Sequence, residues 1–322
     1  MPIERIKLPD DREQWLAERR AFVNASEMAI VCGEGAWGSL AELYAEKKGL
    51  RAPLLDDGIM RRGRWGEGAV FEALAEERPE WTVLRARLHV RDTDRRIACT
   101  PDGFATRPDR LGPGVVQAKV VSRSIFKQKW LDDPSDDVGI ATPPAHYRIQ
   151  TITEMMLNRS LWGVLAVLIN GEFDWHFRLI EVDRDDEIEQ RIVENTAAFF
   201  RDYLDPEIMP PFEPQRDEAL IKALYPKDSG ATIDLTSDNR ALVAVEDLVQ
   251  TQAALSRLRA QEKTLKTELE GKLGAATFGV LRDGRCLSWR RHHRKGYSVA
   301  ASDYRVFRVL QQKPQTEEQS HD

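Results

Sequence analysis

Residues 115–121 (VVQAKVV) form an apolar run that contains a lysine. Their alternation predicts a β-strand in which Gln117 and Lys119 point to the same face of a sheet as Val115 and Val121. Burial of an unpaired ammonium group is costly, so Lys119 needs a charged or strongly polar partner in the neighbouring structure. This requirement restricts the fold to a sheet in which an adjacent element brings an acidic group to the lysine.

Asp102 is the candidate partner, because it follows a predicted strand and lies in a Pro-Asp-Gly tripeptide. Alone, such a tripeptide is a common turn without chemistry. An aspartate at a strand end, with Gln117 supplying a second oxygen two residues before Lys119, forms a site for a hard divalent cation such as Mg²⁺. The cation would polarise a phosphate and lower the pKa of a bound water, and the lysine would position or assist the nucleophile.

A second acidic candidate, Glu67, comes from a helical pattern. The spacing of Glu67, Val70, Phe71 and Leu74 predicts a helix over residues 66–77 with these side chains on its inward face. Carboxylates seldom lie unpaired among apolar side chains. We therefore expect this glutamate to face a metal or the strand lysine. The alternative is a structural pair with a buried arginine.

The chain has 322 residues, of which 42% are hydrophobic and 31% are charged. This balance is that of a soluble globular protein with a sizeable core, and the length favours one large domain plus an appendage. The net charge is −6, so no global basic field attracts nucleic acid. Any DNA contact must come from local clusters, such as the basic run that contains Arg290 and Arg291.

Three cysteines, Cys32, Cys99 and Cys286, lie far apart in the sequence. They suit a reducing cytosol, they form neither a disulfide framework nor a zinc set, and we expect them to be buried as small hydrophobic residues. The sequence shows no signal peptide and no apolar run near 18 residues, so secretion and membrane insertion are not expected.

The pattern of elements predicts an α/β (α+β) fold and four segments. Residues 1–205 form the main domain, a proline-rich linker covers 206–237, and a helix plus a β-hairpin cover 238–310. The tail, residues 311–322, is expected to be disordered.

Further motifs occur in order along the chain. They are Trp15 with Arg19, residues 24–27 (NASE), 63–67 (GRWGE), 146–150 (HYRIQ) and the apolar strand 162–171. Together with the Asp102 and Lys119 motif, this order resembles the PD-(D/E)xK nuclease superfamily. Within it, the chain is most similar to the phage recombination exonucleases that include lambda exonuclease and the YqaJ-like viral recombinases. The resemblance covers about residues 10–205.

The resemblance implies a restriction-endonuclease-like central mixed sheet flanked by helices, and a metal-dependent deoxyribonuclease with Mg²⁺ or Mn²⁺ as cofactor. The implied catalytic residues are Asp102, Gln117, Lys119 and Glu67, and the implied metal ligands are Asp102, Gln117, the carbonyl of Ala118 and Glu67. Arg19 and Ser26 match the residues that hold the 5′-terminal phosphate in the family, and Ser26 is also predicted to cap a short helix. The remaining predicted DNA contacts are Arg64, His146, Gln150, Arg290 and Arg291.

One departure concerns the metal site itself, because the family has glutamate where this chain has Gln117. A glutamine carbonyl ligates Mg²⁺ without a negative charge, so affinity or rate falls or another carboxylate compensates. Three alternatives follow: an exonuclease that resects double-stranded DNA from 5′ ends, a catalytically weak or inactive DNA-end-binding protein of the same fold, or a metal-free scaffold whose Asp102 is only a turn residue. The first implies duplex ends as substrate, a single-strand annealing partner, a ring-shaped homo-oligomer and the cytoplasm of a bacterial host in a phage or prophage context.

Overall fold

The computed structural model describes residues 3–9, 11–35, 38–51, 58–133, 135, 139–296, 301 and 303–309. The chain divides into two compact units between Leu224 and Tyr225. The first unit extends 19 residues beyond the predicted boundary at residue 205, so part of the proline-rich segment belongs to it. There Leu220 is buried against helix residues Ala41 and Ala45.

Runs of helices and runs of strands follow one another along the chain. The strands are β1 (Ile3–Lys7), β2 (Val23–Asn24), β3 (Thr82–Arg85), β4 (Leu88–Asp92), β5 (Ile97–Cys99), β6 (Gly103–Thr106), β7 (Gly114–Ser122), β8 (Trp162–Asn170), β9 (Trp175–Asp183), β10 (Phe278–Val280) and β11 (Cys286–Ser288). The α-helices are α1 (Arg12–Arg20), α2 (Met28–Val31), α3 (Leu40–Lys47), α4 (Gly58–Glu77), α5 (Arg123–Lys129), α6 (Ala145–Asn158), α7 (Asp186–Phe199), α8 (Glu218–Leu224) and α9 (Asn239–Leu273). A 3₁₀ helix spans Ala25–Glu27, and a π-helical turn, Phe200–Leu204, continues α7.

A five-stranded mixed sheet with the order β3-β6-β7-β8-β9 lies at the centre of the first unit. Strands β7 and β8 are parallel, and their register places Lys119 beside Val167. The other neighbouring pairs of this sheet are antiparallel. A smaller sheet has the order β1-β4-β5-β2. This arrangement confirms the predicted mixed central sheet with flanking helices.

The alternation of β7 separates two apolar clusters. Val115 and Val121 lie in one cluster together with Ile152 and Met155 of α6. Val116 lies in the other, together with the apolar face of α4. Because side chains alternate along a strand, Gln117 and Lys119 share the α6 side. The predicted orientation of the strand is confirmed.

Helix α4 begins at Gly58, eight residues before the predicted start. The arginines at 61, 62 and 64 therefore lie within the helix and face solvent, whereas the sequence pattern places them before it. Arginine is a good helix former, which allows the helix to extend through this run. The predicted inward positions Val70, Phe71 and Leu74 are buried, as expected.

The second unit contains α9, a single helix of 35 residues, and the hairpin β10–β11. Both elements match the predicted helix and hairpin. Cys286 of this hairpin is exposed, whereas Cys32 and Cys99 are buried, so the expected burial is wrong for one cysteine of the three. The predicted disordered tail lies outside the described residues. Within the described residues, no helix combines the length and the apolar character needed to span a bilayer.

Candidate active site

Asp102 lies directly before β6, and the antiparallel pairing of β6 with β7 brings it beside Gln117. The Gln117 side-chain amide donates a hydrogen bond to Asp102 Oδ2 at 2.5 Å, and the Ala118 backbone N–H donates to the same oxygen at 2.9 Å. Glycine is required at Gly103, the first residue of β6, because an added Cβ would lie 2.5 Å from the ring of Phe71. Asp102 is therefore fixed to the strand that carries the lysine.

Burial raises the pKa of Asp102 to about 6. The ammonium group of Lys119 and the hydrogen bond from Ala118 oppose this rise, whereas the charge of Glu67 adds to it. Removal of water from a carboxylate disfavours its charged form. A cation beside Asp102 would therefore relieve an electrostatic cost that is already present in the folded chain.

Lys119 extends from β7 toward α6. Its Nζ atom donates a hydrogen bond to Gln150 Oε1 at 3.4 Å and lies 4.9 Å from the ring centre of Tyr147. Burial lowers the pKa of Lys119, and the charges of Asp102 and Glu154 oppose this change. In the described part of the chain, Lys119 forms no direct ion pair. The predicted partner Asp102 therefore affects the pKa of Lys119 by its charge, without a direct ion pair.

Glu154 is the site residue that the sequence analysis missed. Its side chain is 1% exposed, and its Oε1 accepts a hydrogen bond from the Gln150 amide at 3.2 Å. Burial raises the pKa of Glu154 well above its usual range, the charge of Asp102 raises it further, and Lys119 opposes both. A signal was present in the sequence, because His146, Gln150 and Glu154 follow one another at intervals of four residues along one helix face.

Glu67 differs from the expectation of a buried carboxylate. Its side chain is 29% exposed and pairs with Arg85, which is 54% exposed, at 2.7 Å. This is the arginine-pair alternative, with an exposed arginine in place of a buried one. Glu67 nevertheless lies near enough to Asp102 and Lys119 to affect the pKa of both.

The predicted phosphate-binding residues Arg19 and Ser26 are brought together. Arg19 Nη2 donates hydrogen bonds to Ser26 Oγ at 3.2 Å and to Glu27 Oε1 at 3.1 Å, and its guanidinium lies 4.8 Å from the ring centre of Trp15. The predicted N-cap role of Ser26 is wrong. Asn24 is the N-cap of the 3₁₀ helix, and its backbone N–H donates to the carboxylate of Glu27.

A buried lysine, Lys47, contacts both Arg19 and Glu27. Lys47 Nζ donates to Glu27 Oε2 at 2.5 Å and to the backbone carbonyl of Arg19 at 3.0 Å. Burial alone would raise the pKa of Glu27, but Lys47 and Arg19 outweigh it and lower that pKa. Two cations and one carboxylate leave a net positive charge beside the hydroxyl of Ser26, which suits an anionic ligand.

His89 lies near enough to Arg19 for that charge to affect its pKa, and it provides a pH-dependent test of this packing. Burial, with the charges of Arg19 and Arg91, lowers its pKa from 6.5 to about 4. A lowered pKa means that His89 contributes stability above about pH 6.5 and that this stability is lost as the pH falls toward about 4. The shift corresponds to about 3 kcal/mol of unfolding free energy.

We therefore expect His89→Asn to remove that loss. Denaturant unfolding measures the free energy of unfolding of both proteins at neutral and at acidic pH. Between these two pH values, the wild type should lose about 3 kcal/mol more of this free energy than the variant does. A constant difference between wild type and His89→Asn would contradict this account of His89.

The other predicted DNA contacts are distributed as follows. His146 lies close enough to Lys119 for that charge, together with burial, to lower its pKa. Arg64 is exposed on α4. Arg290 and Arg291 follow β11 in the second unit, where the guanidinium of Arg290 lies 4.7 Å from the ring centre of Phe278. Their contacts with DNA stay predictions.

The donor atoms at Asp102 suit a hard cation only if amide and backbone oxygens complete the set. Among the described residues, no group of three or more His, Cys, Asp or Glu side chains is placed to hold a metal. However, Gln117 Oε1 and Glu154 Oε2 are buried, and neither accepts a hydrogen bond from any described residue. Buried polar atoms are normally satisfied, so these two oxygens indicate a missing cationic or hydrogen-bonding partner.

Comparison with known proteins shows which domain family and which relative this chain resembles. Residues 14–158 match the YqaJ-like viral recombinase domain. This match confirms the resemblance found in the sequence, and the matched segment contains Arg19, Ser26, Asp102, Lys119 and Glu154. A curated relative, the uncharacterized protein YqaJ of Bacillus subtilis (strain 168), is 25% identical over 284 residues, which cover 84% of this chain and 81% of that protein.

Two solved structures are similar to this chain. The alkaline exonuclease LHK-Exo from Laribacter hongkongensis is 19% identical, with a TM-score of 0.43, and the match covers 61% of this chain and 93% of LHK-Exo. A phage-related exonuclease from Haemophilus somnus 129PT is 12% identical, also with a TM-score of 0.43, over 57% of this chain and 96% of its own. Similarities at this level carry no argument about activity.

Proposed function

We propose that this YqaJ-like chain is a Mg²⁺-dependent exonuclease that resects double-stranded DNA from 5′ ends by phosphodiester hydrolysis. The observation that carries the proposal is the convergence of Asp102, Gln117 and Lys119 at the junction of β6 and β7. An acidic oxygen, an amide oxygen and an ammonium group at one point are the groups that a hydrolytic metal site needs.

Each residue has a separate role in this proposal. Asp102 and the side-chain oxygen of Gln117 hold the cation, with the Ala118 carbonyl and Glu67 assisting. Lys119, oriented by Gln150, stabilises negative charge that develops on the phosphate or positions the attacking water. When bound, Mg²⁺ supplies polarisation of the phosphate and a water of lowered pKa.

The direct test is digestion of a linear duplex that carries 5′-phosphates, in the presence of Mg²⁺ or Mn²⁺. We expect release of nucleotides from the ends and accumulation of single strands with intact 3′ ends. A covalently closed circle of the same sequence has no ends and should stay intact. Equal cutting of the circle would contradict exonuclease action and indicate an endonuclease.

A second candidate function is binding of DNA ends without cleavage. The favouring observation is that Gln117 is neutral and its amide group already donates to Asp102. This function predicts tight retention of linear duplex without digestion under any divalent cation. Absence of both digestion and DNA binding would leave only a metal-free scaffold.

Arg19 provides a test of the end-recognition part of the proposal. We expect Arg19→Ala to weaken binding of 5′-phosphorylated duplex about 10- to 100-fold, because hydrogen bonds to a charged group contribute about 1.5–3 kcal/mol. Binding of a duplex with 5′-hydroxyl ends should change little. Competition between the two duplexes measures the preference directly.

The neighbouring Arg20 offers a matched control, since it is exposed at the end of the same helix. Arg20→Ala should retain the preference for phosphorylated ends. If Arg19→Ala weakens the binding of both duplexes equally, the phosphate role of Arg19 is wrong. Such a result would indicate a general electrostatic contribution.

The proposed activity also implies partners. Single strands produced by resection require an annealing protein, and a ring of several copies would keep the enzyme on its DNA. We place this activity in the cytoplasm of a bacterial host, in a phage or prophage context. Light scattering of the purified chain, with and without linear duplex, would measure the number of copies.

A further inference from the structure

The metal site of the proposed function contains one carboxylate that is not paired with an arginine, that of Asp102. Mg²⁺ is commonly bound by one or two carboxylates together with waters and substrate phosphates. Asp102 supplies one carboxylate, whereas Gln117 is neutral and Glu67 is engaged with Arg85. A second carboxylate with an unused oxygen atom on the α6 side of the sheet would bring the site to the upper end of this range.

Glu154 occupies a position that packing alone does not explain. It is 1% exposed, and glutamate is almost never fully buried unless it is paired. Its connection to Lys119 runs through Gln150, whose carbonyl accepts from the lysine at 3.4 Å and whose amide donates to Glu154 at 3.2 Å. The carboxylate therefore belongs to the polar group around the lysine, one helical turn beyond Gln150.

Two unsatisfied oxygens supply an independent indication of a ligand. Glu154 Oε2 and Gln117 Oε1 are both buried, and no described residue donates a hydrogen bond to either of them. Their side chains are attached to opposite elements, α6 and β7, on the same side of the central sheet. A cation would bind both oxygens at once, and its positive charge would favour the ionised form of Glu154 that burial disfavours.

We infer that Glu154 supplies the second carboxylate of the metal centre and replaces, from the helix, the charge that Gln117 does not provide on the strand. This inference rests on the proposed function and specifies its metal site. The competing role for Glu154 is that of a counter-charge for Lys119 without any contact with a metal. Measurement of cation binding separates the two roles.

The experiment measures Mn²⁺ binding to the full chain by electron paramagnetic resonance of the free ion, without DNA. We expect Glu154→Gln to weaken Mn²⁺ binding about 10- to 100-fold. The matched control is Glu194→Gln on α7, because Glu194 accepts from Gln190 at 2.7 Å in the same four-residue spacing but at an exposed position. Glu194→Gln should bind Mn²⁺ as the wild type does.

The second part of the experiment moves the carboxylate from α6 to β7. The double variant Gln117→Glu, Glu154→Gln should recover binding to within a few-fold of the wild type, because the carboxylate returns on the strand. If Glu154→Gln fails to fold, Glu154→Asp replaces it: it keeps the charge but withdraws the oxygens by one methylene. A ligand role predicts weaker Mn²⁺ binding by Glu154→Asp, and a counter-charge role predicts unchanged binding.

The outcomes distinguish this inference from the proposed function. If Asp102→Asn loses Mn²⁺ binding while Glu154→Gln retains it, the role of Glu154 is overturned and the proposed function stands. A double variant that binds no better than Glu154→Gln also overturns the charge replacement. If the wild-type chain binds no Mn²⁺ and digests no DNA, both fail.

Discussion

Replacement of Lys119 by alanine is expected to reduce digestion of linear duplex about 10²- to 10⁴-fold, the range typical of a lost catalytic proton donor or charge stabiliser. Gln150 and Tyr147 hold the ammonium group in the site, and alanine would leave this position without a charge. Binding of DNA ends in the presence of Ca²⁺ should persist, because Arg19 and Ser26 are unchanged. Single-turnover digestion and a binding titration measure the two quantities separately.

The control for this prediction is Lys222→Ala, which removes a 74% exposed lysine from α8. It should digest DNA at the wild-type rate. Lys119→Met preserves the length of the side chain and should lose the same activity as Lys119→Ala if the charge is responsible. Digestion by Lys119→Ala within about threefold of the wild type, well inside the range expected for a catalytic group, would remove the lysine from the mechanism.

Gln117→Glu is expected to have opposite effects without and with metal. Without metal, it places a second carboxylate 2.5 Å from Asp102 and replaces a hydrogen bond by repulsion. We expect a loss of about 1–3 kcal/mol of unfolding free energy. With Mn²⁺ or Mg²⁺, the added charge should raise metal affinity or activity, and the stabilisation by metal should exceed that of the wild type.

Thermal unfolding at a series of Mn²⁺ concentrations measures both effects. The matched control is Gln190→Glu, because Gln190 also donates to a carboxylate, that of Glu194, but at the exposed surface of α7. There the added charge is solvated and should change neither stability nor metal binding appreciably. A loss of activity in Gln117→Glu despite normal folding would mean that the site depends on the amide itself.

Local patterns were sufficient for the elements that position the chemistry. The alternation of residues 115–121 predicted the faces of β7 correctly, since period two leaves little freedom once valines surround the lysine. The i, i+3, i+4, i+7 spacing after Glu67 likewise predicted the buried face of α4, because a helix brings these positions to one side. In both cases the apolar residues had to be buried, and the polar ones followed their register.

Tertiary contacts decided what these patterns missed. Glu154 stands among buried residues of α6, and only the approach of Lys119 from another element makes it a site residue. The exposure of Glu67 depends on where Arg85 of β3 lies. Leu220 is buried by α3, which is distant in sequence. The local sequence does not show this contact, and its proline-rich composition therefore indicated a linker.

The bond between Asp102 and the backbone of Ala118 has a consequence for how this chain tolerates change in length. Strand β7 is paired with β8 over eight residue pairs. On the other edge of β7, the Ala118 N–H donates a hydrogen bond to Asp102, the residue before β6. Insertion or deletion of one residue within this strand would turn Lys119 toward α4 and bring Ala118 or Val120 to α6. Natural or engineered length variation is therefore expected in the turn at residues 107–113, whereas the strand itself accepts only replacements.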